Sequence, residues 1–197
     1  MRTVFISSFH SLISRNILAT GLLERMVSSG VRVVILCQER KAEVYEEEFA
    51  RDGVSVVGVP VALTRRDIAL RALSFAAIRT RSMAIKRVTE LRGRGRYVSR
   101  LLATRVGGAV VRFLARLGTP RGTFAELFER FHPDLVFATD IQSDLDTRLV
   151  LDARRRGIPV VGMVRSWDNL TSKGLIRALP ETLVVHNDII RREALSI

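Results

Sequence analysis

The chain has 197 residues, of which 47% are hydrophobic and 26% are charged, a balance that predicts a folded domain and excludes extensive disorder. The formal net charge is +12 at pH 7, which indicates an anionic partner. No segment has the roughly 18 uninterrupted apolar residues of a membrane-spanning helix, and polar residues from Ser7 onward interrupt the start too early for a signal peptide. The single cysteine, Cys37, has no partner for an intrachain disulfide and is expected in the core. These features predict a cytoplasmic protein.

The positive charge is confined to one part of the chain. Residues 64–121 contain 15 Lys and Arg residues and only two acids, Asp67 and Glu90, which gives this segment a charge of +13. The remaining residues contain 17 basic and 18 acidic side chains. A nearly neutral fold therefore carries one strongly basic segment, and a membrane surface, a nucleic acid or a phosphorylated substrate would each suit it.

The first 60 residues alternate between strand and helix patterns. Short apolar runs predict strands at 3–7, 31–36 and 54–59, and helical spacing of apolar or charged residues predicts helices at 17–27 and 41–51. The strand runs are continuously apolar, as expected for parallel strands that are buried on both faces.

The basic segment has a different pattern, with two apolar stripes at helical spacing. The first runs from residue 65 to residue 91 and comprises Leu70, Leu73, Ala77, Ala84, Val88 and Leu91. An Arg-Gly break at 92–96 separates it from the second stripe, which comprises Val98, Leu102, Val106, Ala109, Phe113 and Leu117. Gly107 and Gly108 are expected to weaken the second helix, because each interior glycine costs about 1 kcal/mol relative to alanine.

The strand and helix alternation then resumes. Helices are predicted at 124–131 and 143–156, and strands at 135–138, 158–164 and 182–185. Together with the first half, this predicts an α/β fold: a Rossmann-like, doubly wound parallel sheet of about six strands, with a basic helical insertion after the third strand.

Residues 1–197 are expected to form one domain, with residues 64–121 as its insertion. A final helix is predicted at 189–195, and no glycine, proline or other stop signal follows it. This favours a native chain that continues into a second domain.

Polar residues gather where the predicted strands end. In open parallel sheets, ligands bind beyond the carboxyl ends of the strands, so segments 7–11, 139–140, 165–173 and 186–187 are expected to line one site. The candidate substrate-binding residues are Ser8, Ser11, Asp140, Arg165, Ser166, Trp167, Asn169, Thr171, Ser172, Lys173, His186 and Asn187.

The segment VRSWDNLTSKG, residues 164–174, is the most polar of these loops and has two interpretations. Its hydroxyl, amide and carboxylate groups can hold a hydroxyl-rich or phosphorylated ligand, while Lys173 supplies a charge and Trp167 a flat face. Alternatively, Asp168 and Asn169 form an Asx turn, a hydroxyl caps a short helix, and Trp167 fills the core, which is the more common role for a single tryptophan.

His10 follows the first strand and is a candidate base for an acceptor hydroxyl, although a surface or capping role is common for such a histidine. Asp140 is either a helix cap or a site carboxylate, and His132 is expected to be structural. No G-x-G-x-x-G follows the first strand, so a dinucleotide cradle is not expected. No Cys/His spacing indicates a metal site, and no cofactor is expected.

Three segments resemble the N-terminal half of a GT-B glycosyltransferase: TVFISSFHSLISRNILATGLLERMVSSGVRVVILC, the basic helical insertion, and GIPVVGMVRSWDNLTSKG. The loop SWDNLTSKG is similar to those of bacterial transferases of surface-polysaccharide synthesis. It is also similar to the W-H-G-T-P-L-K stretch of the CDP-glycerol glycerophosphotransferase family. Trp167 and Lys173 match that stretch at the same spacing, whereas Asp168 replaces its histidine and Asn169 its glycine.

This resemblance implies an acceptor-binding domain in which His10 or Asp168 is the catalytic base. The nucleotide-activated donor would bind in a C-terminal domain or partner chain, so the isolated chain is expected to be inactive. The acceptor would be a hydroxyl-bearing or lipid-linked molecule, and an anionic membrane at the inner face would hold the domain peripherally. The residues expected at that membrane are Arg79, Arg81, Lys86, Arg87, Arg92, Arg94, Arg96 and Arg100.

Other classes of function remain open. Segment 64–121 is basic enough for a nucleic-acid-binding module, but it offers only Phe75, Tyr97 and Phe113 for stacking, two of them expected to be buried. A sugar-nucleotide epimerase-like half-domain shares the predicted fold, and a regulatory domain is a further alternative.

Overall fold

The computed structural model describes residues 1–60, 62–89 and 94–196, and within this part the side chains of residues 14, 82, 86–88 and 94–96 are not described. Its centre is a six-stranded parallel sheet in the order β3-β2-β1-β4-β5-β6. The strands are β1 (Arg2–Ser8), β2 (Val31–Gln38), β3 (Val54–Val59), β4 (Leu135–Ala138), β5 (Val160–Met163) and β6 (Thr182–Val184). The predicted Rossmann-like sheet is therefore confirmed.

Helices cover both faces of this sheet. They are α1 (Ser11–Ile13), α2 (Leu22–Ser28), α3 (Ala42–Phe49), α4 (Arg65–Ala76), α5 (Arg81–Thr89), α6 (Arg94–Leu102), α7 (Arg105–Gly118), α8 (Ala125–Phe131), α9 (Asp144–Arg155), α10 (Asn169–Ser172) and α11 (Asp188–Ser196). A π-helical turn, Ser14–Leu18, precedes α2, so the helix predicted at 17–27 begins only at Leu22. Among the described residues, no helix is both long and apolar enough to cross a bilayer.

Neighbouring residues of each strand contribute to two different cores, because successive side chains point to opposite faces of a sheet. Phe5 packs in the larger core with residues of α8 and α9. Ile6 packs in the second core with Leu23 of α2 and Tyr45 of α3. Cys37 is buried in this second core, and burial raises the pKa of its thiol to about 11, so it is a core residue as expected.

The insertion after β3 comprises α4 to α7. The first apolar stripe, at 65–91, does not form one continuous helix, because the chain leaves helical geometry between Ala76 and Arg81. Leu91 and the first part of the Arg-Gly break lie outside the described residues. Thr64 and Asp67 form a capping box that starts α4. Asp67 also forms a buried ion pair with Arg148 of α9, which fastens the insertion to the sheet domain.

Helix α7 packs through small residues rather than through its predicted apolar stripe. Gly107, Gly108, Val111 and Ala115 form its buried face. A Cβ added at Gly107 would lie 2.3 Å from the carbonyl oxygen of Leu102, so glycine is required for this close approach. The two glycines therefore mark a packing contact and do not break the helix, which runs from Arg105 to Gly118.

Candidate functional site

The loops that follow β1, β4 and β5 meet at the carboxyl edge of the sheet. The backbone N–H of Thr139 donates to Ser7 Oγ at 2.9 Å, and Thr139 Oγ1 donates to the Ser7 carbonyl at 2.6 Å. The N–H of Ile141 donates to the carbonyl oxygen of Met163 at 3.2 Å. These bonds place segments that are far apart in the sequence along one crevice.

An ion pair crosses this crevice from the loop after β4 to the loop after β5. Arg165 Nη1 lies 2.6 Å from Asp140 Oδ2, and both side chains are largely buried. Burial raises the pKa of Asp140, and the positive charge of Arg165 opposes that rise. Asp140 does not cap α9, because Ser143 Oγ accepts the N–H of Asp146 and is the cap. Asp140 is thus an ion-pair partner in the crevice, and the capping alternative is wrong.

His10 is exposed at the end of the loop that follows β1. Its Nδ1 accepts the backbone N–H of Leu12 at 3.2 Å, so the neutral ring carries its proton on Nε2. Partial burial and the charge of Arg165 lower the pKa of His10, and the carboxylate of Asp140 opposes that lowering. His10 and Asp140 line the same cavity, so His10 lies near the Asp140–Arg165 pair.

The loop from Arg165 to Lys173 uses several of its polar groups internally. Thr171 Oγ1 and Ser172 Oγ donate to the carbonyl oxygen of Asp168 at 2.9 and 2.8 Å, and Ser172 Oγ also lies 3.1 Å from Asp168 Oδ2. The hydrogen bond from the Ser166 side chain, and the smaller effect of Ser172, lower the pKa of Asp168. A carboxylate with a lowered pKa is a weak base, so Asp168 is better suited to shaping the loop than to proton transfer.

Trp167 and Lys173 lie at the surface of this loop. Trp167 is 75% exposed, so the interpretation that it fills the core is wrong. Lys173 is exposed, and its charge reaches both His10 and Asp140. The ammonium group of Lys173 therefore acts on the crevice, and the exposed indole ring of Trp167 belongs to the same loop.

Asn169 lies beneath the loop rather than in the crevice. It is 1% exposed, and neither atom of its amide group has a hydrogen-bond partner among the described residues. Gln142 Nε2 donates to the backbone carbonyl oxygens of Asn169, at 3.0 Å, and of Gly174. Gln142 thereby fixes the loop backbone to the loop after β4.

The other candidate residues are distributed around this centre. Ser8 is buried, and its hydroxyl pairs with Tyr45 Oη at 3.2 Å, which directs it toward α3. Ser11 is exposed at the start of α1. His186 is exposed beyond β6, and Asn187 Oδ1 accepts the N–H of Ile190 at 3.0 Å, so Asn187 caps α11.

Two carboxylates of the crevice were missed in the sequence, Asp144 and Asp146. Acids in the first turn of a helix usually complement the helix dipole, so the sequence alone did not mark Asp144 and Asp146 as site residues. Asp144 pairs with Arg177 at 2.7 Å and with Arg71 at 3.0 Å. Asp146 is completely buried and accepts hydrogen bonds from the hydroxyls of Ser7 and Ser143. Burial, followed by the charge of Asp140, raises its pKa to about 7.

The crevice contains a cavity of about 160 Å³. Residues that line it include Phe9, His10, Asp140, Ser143 and Asp144. Binding pockets for whole drug-sized ligands are about 300–1,000 Å³, so this cavity holds a small polar group rather than an entire sugar nucleotide.

Two larger hollows lie elsewhere on the described surface. One, of about 530 Å³, is bordered by Val31 and Ser55 at the amino-terminal ends of β2 and β3. The other, of about 450 Å³, lies between α2 and α3. The smaller cavity is the better candidate site, because it adjoins titratable groups with shifted pKa values at the edge where parallel sheets bind ligands.

The arginines expected at a membrane have varied positions. Arg81 and Arg100 are exposed, while Arg79 Nη2 donates to the carbonyl oxygen of Ser196 at 2.8 Å. Arg92 lies outside the described residues, and the side chains of Lys86, Arg87, Arg94 and Arg96 are not described. Within the described chain, no three His, Cys, Asp or Glu side chains cluster as a metal site would require.

No protein-family model matches this chain, and the comparison with curated proteins gives no significant match. Solved structures similar to it include the glycotransferase of kitacinnamycin, with a TM-score of 0.40, 17% identity, and coverage of 84% of this chain and 30% of that one. They also include SsfS6, a Streptomyces sp. SF2575 glycosyltransferase, with a TM-score of 0.41, 16% identity, and coverage of 94% and 49%. A third is the glycosyltransferase VinC, with a TM-score of 0.43, 16% identity, and coverage of 86% and 37%.

The chain thus spans less than half the length of each of these three glycosyltransferases. None of the three matches confirms the resemblance to the CDP-glycerol glycerophosphotransferase family.

Proposed function

We propose that this chain is the acceptor-binding domain of a glycosyltransferase, or of a glycerophosphotransferase-like enzyme, in cell-surface polysaccharide synthesis. The observation that carries the proposal is the meeting of His10, the Asp140–Arg165 pair and the exposed Trp167 loop at the carboxyl edge of a Rossmann-like sheet. These groups suit an acceptor that offers a hydroxyl for deprotonation and a phosphate for binding.

The positive groups of the crevice suit the anionic part of such an acceptor. Arg165 Nε is buried and has no hydrogen-bond partner among the described residues, although Nη1 is paired with Asp140. Lys173 is exposed, and its charge acts on Asp140, the partner of Arg165. A phosphate can accept hydrogen bonds from both cations, and a sugar ring can stack on the indole of Trp167.

His10 is the better of the two candidate bases. Its lowered pKa leaves the imidazole largely neutral at pH 7, so it is able to accept a proton. For transfer, His10 Nδ1 would first lose its hydrogen bond with the N–H of Leu12. It would then take the proton of the acceptor hydroxyl group while the hydroxyl oxygen forms a bond to the donor carbon or phosphorus. The nucleotide would leave with the bonding electrons. Asp140 would stabilise the imidazolium ion that forms.

The donor is expected to bind to a second domain or a partner chain, because the crevice cavity is too small for a sugar nucleotide. Transfer by the isolated 197-residue chain should therefore be undetectable. Steady turnover by this chain alone, with a nucleotide-activated donor, would contradict the division of acceptor and donor sites.

Acceptor binding is testable through the fluorescence of Trp167, since the chain contains no other tryptophan. Glycerol 3-phosphate and glucose 1-phosphate serve as acceptor probes, with glucose and inorganic phosphate as references. Both phosphorylated probes should change the emission at lower concentration than either reference does. Arg165→Gln should weaken binding roughly tenfold, since a hydrogen bond to a charged group contributes about 1.5–3 kcal/mol.

Arg25→Gln is the matched control, because Arg25 is an exposed arginine of α2 outside the crevice. This variant should bind the probes as the unmodified chain does. Far-UV circular dichroism confirms that each variant is folded. Equal binding by the Arg165→Gln and Arg25→Gln variants would remove Arg165 from the site, and no response to either phosphorylated probe would overturn the acceptor assignment.

A further inference from the structure

Helix α7 has an apolar face that is exposed in the described part of the chain. Val106, Val110, Phe113 and Leu117 follow one another at helical spacings of four, three and four residues, so they lie on one side of the helix. All four are exposed, Val106 by 74%, Phe113 by 58% and Leu117 by 54%. Large apolar side chains grouped in this way mark an interaction surface.

Arginines line one flank of this face. Arg105, Arg112 and Arg116 are spaced by seven and four residues and therefore share a side of the helix next to the apolar stripe. Arg105 and Arg116 are exposed, whereas Arg112 Nε donates to the carbonyl oxygen of Ile176 at 3.1 Å. The sequence from 97 to 121 contains five arginines and no acid. The face is therefore apolar in its centre and strongly basic at its edge.

Helix α6 presents a similar combination just before α7. Tyr97, Val98 and Leu101 are exposed, and so is Arg100. The exposed residues of α6 and α7 are named the α6–α7 face below: Tyr97, Val98, Arg100, Leu101, Arg105, Val106, Val110, Phe113, Leu114, Arg116 and Leu117.

We propose that the α6–α7 face binds the surface of an anionic phospholipid membrane. The aliphatic and aromatic side chains enter the boundary between headgroups and acyl chains, and the arginines bind lipid phosphates beside them. Amphipathic helices with Phe and Leu on one side and Arg on the other bind membranes in this way. The binding does not depend on the acceptor crevice, so this proposal stands apart from the proposed transferase function.

The chemistry of the face favours lipid over two other partners. A second copy of the chain would bring arginines close to arginines, with no acid in 97–121 to pair with them. Single-stranded nucleic acid binds to stacking aromatics in a basic groove, whereas here the exposed Tyr97 and Phe113 stand among exposed aliphatic side chains. Tyr97 and Phe113 are exposed and Phe75 is half-buried, so the expectation that two of these three aromatics are buried is wrong.

The opposite side of α7 connects this face to the crevice loop. Val111 packs in one cluster with Ala77 and Leu175, and Gly108 lies next to Leu175. Leu175 and Ile176 follow directly after the loop that carries Trp167 and Lys173. A membrane bound to the outer side of α7 would therefore lie about one helix diameter, or about 10–12 Å, from Leu175, where that loop ends.

Vesicle sedimentation tests the proposal with the 197-residue chain. The chain should sediment with vesicles of phosphatidylcholine and phosphatidylglycerol, and much less with phosphatidylcholine alone. Phe113→Ser/Leu117→Ser should weaken the binding roughly tenfold, since less apolar surface is buried. Arg105→Gln/Arg116→Gln should weaken it and reduce its dependence on salt concentration. All four side chains are exposed, so these variants should keep the fold, as circular dichroism can verify.

The controls change the same residue types elsewhere. Val44 is an exposed apolar residue of α3, and Arg2 and Arg25 are exposed arginines. Val44→Ser and Arg2→Gln/Arg25→Gln should bind vesicles as the unmodified chain does. An equal loss of binding in Arg2→Gln/Arg25→Gln would mean that the attraction comes from net charge alone, and an equal loss in Val44→Ser would mean that it does not depend on the apolar stripe of α7. Either result would overturn the assignment to α6–α7.

A fluorescence experiment reports whether the face enters the lipid. In a Trp167→Phe background, Phe113→Trp should shift its emission to shorter wavelength when anionic vesicles are added, and Val44→Trp should not. No shift at position 113 would contradict insertion. Concentration-dependent dimers that Phe113→Ser abolishes would assign the face to a second copy of the chain. Tighter binding to single-stranded RNA than to vesicles would assign it to nucleic acid, and either result would overturn the lipid proposal.

Discussion

The crevice and the α6–α7 face use the same residue type, arginine, in opposite ways. In and around the crevice, Arg165 is paired with Asp140, Arg177 with Asp144 and Arg148 with Asp67. Between 97 and 121 the sequence supplies no acid at all. Arginines that are paired with carboxylates hold the helices and loops of the fold in position. The arginines of residues 97–121 have no acid in their own segment, so they are available for an external partner.

The largest expected effect is on the buried pair that joins α4 to α9. Asp67→Ala leaves Arg148 buried without its carboxylate and should lower the free energy of unfolding by about 3–5 kcal/mol. Arg105→Ala on the α6–α7 face should change it by less than about 0.5 kcal/mol. Urea denaturation measures both, and similar losses in the two variants would remove the distinction between the two kinds of arginine.

Acidic pH should weaken the same pair. Burial alone would raise the pKa of Asp67, but the hydrogen bonds from Arg148 and Thr64 outweigh burial and lower it. A carboxylate with a lowered pKa in the folded state contributes stability above its ordinary pKa, and this stability is lost as the pH falls through the folded pKa.

A second effect of pH concerns Asp146, behind the crevice. Its pKa is about 7 in the folded chain against an ordinary value of 3.8, so the folded state keeps a proton that the unfolded chain has released. Between about pH 4 and pH 7, stability should fall as the pH rises, by roughly 1.4 kcal/mol for each unit of pKa difference at most. Asp146→Asn should remove this decline.

Asp188→Asn, at the exposed start of α11, is the control for Asp146 and should keep the decline. Unfolding free energies from denaturant titrations at several pH values give both slopes. An unchanged slope in Asp146→Asn would show that another group retains the proton.

Two adjacent glycines on the buried face of α7 differ in their tolerance of a methyl group. Gly107→Ala places a Cβ against the backbone of Leu102 and should cost about 1–3 kcal/mol. At Gly108 the nearest atom to an added Cβ is a side-chain carbon of Leu175 at 3.6 Å, which is ordinary contact. Gly108→Ala should therefore stabilise the helix by up to about 1 kcal/mol. The midpoint temperatures of thermal unfolding of the two variants should shift in opposite directions. Equal shifts would contradict the tight contact between α6 and α7.

The smallest expected effect is a change in the pKa of His10. Asp140→Asn removes the negative charge that favours the imidazolium ion, so the pKa of His10 should fall further. Arg165→Gln removes the opposing positive charge, so the pKa should rise. NMR titration can resolve the signal, since the chain has only three histidines. Arg100→Gln on α6 should leave it unchanged, and identical titrations in all variants would separate His10 from the crevice.

Apolar patterning predicted the sheet well. The continuous runs at 31–36 and 54–59 became β2 and β3, and the meeting of their carboxyl ends follows from parallel strand order. The basic insertion was placed correctly because its composition differs from the rest of the chain. The position of residues 165–173 at the same edge as His10 and Asp140 also followed from topology.

The sequence pattern was misleading where small residues and ion pairs decide the packing. In α7, the periodicity defined an apolar stripe but gave no sign that Gly107 makes the close contact with Leu102 while Val106 and Phe113 stay exposed. The pairing of Asp140 with Arg165 depends on contacts between residues 25 positions apart, which no local spacing reveals. The exposure of Trp167 likewise depends on the surrounding loops.

The ion pair between Asp67 and Arg148 bears on whether residues 64–121 are a removable module. Replacing them with a short linker would leave the buried guanidinium group of Arg148, on α9, without its carboxylate partner. Leu175 would also lose its packing contacts with Ala77 and Val111. A shortened chain would therefore carry an uncompensated interior charge and a newly uncovered leucine. The α/β sheet and its helical insertion should therefore be expressed and engineered together.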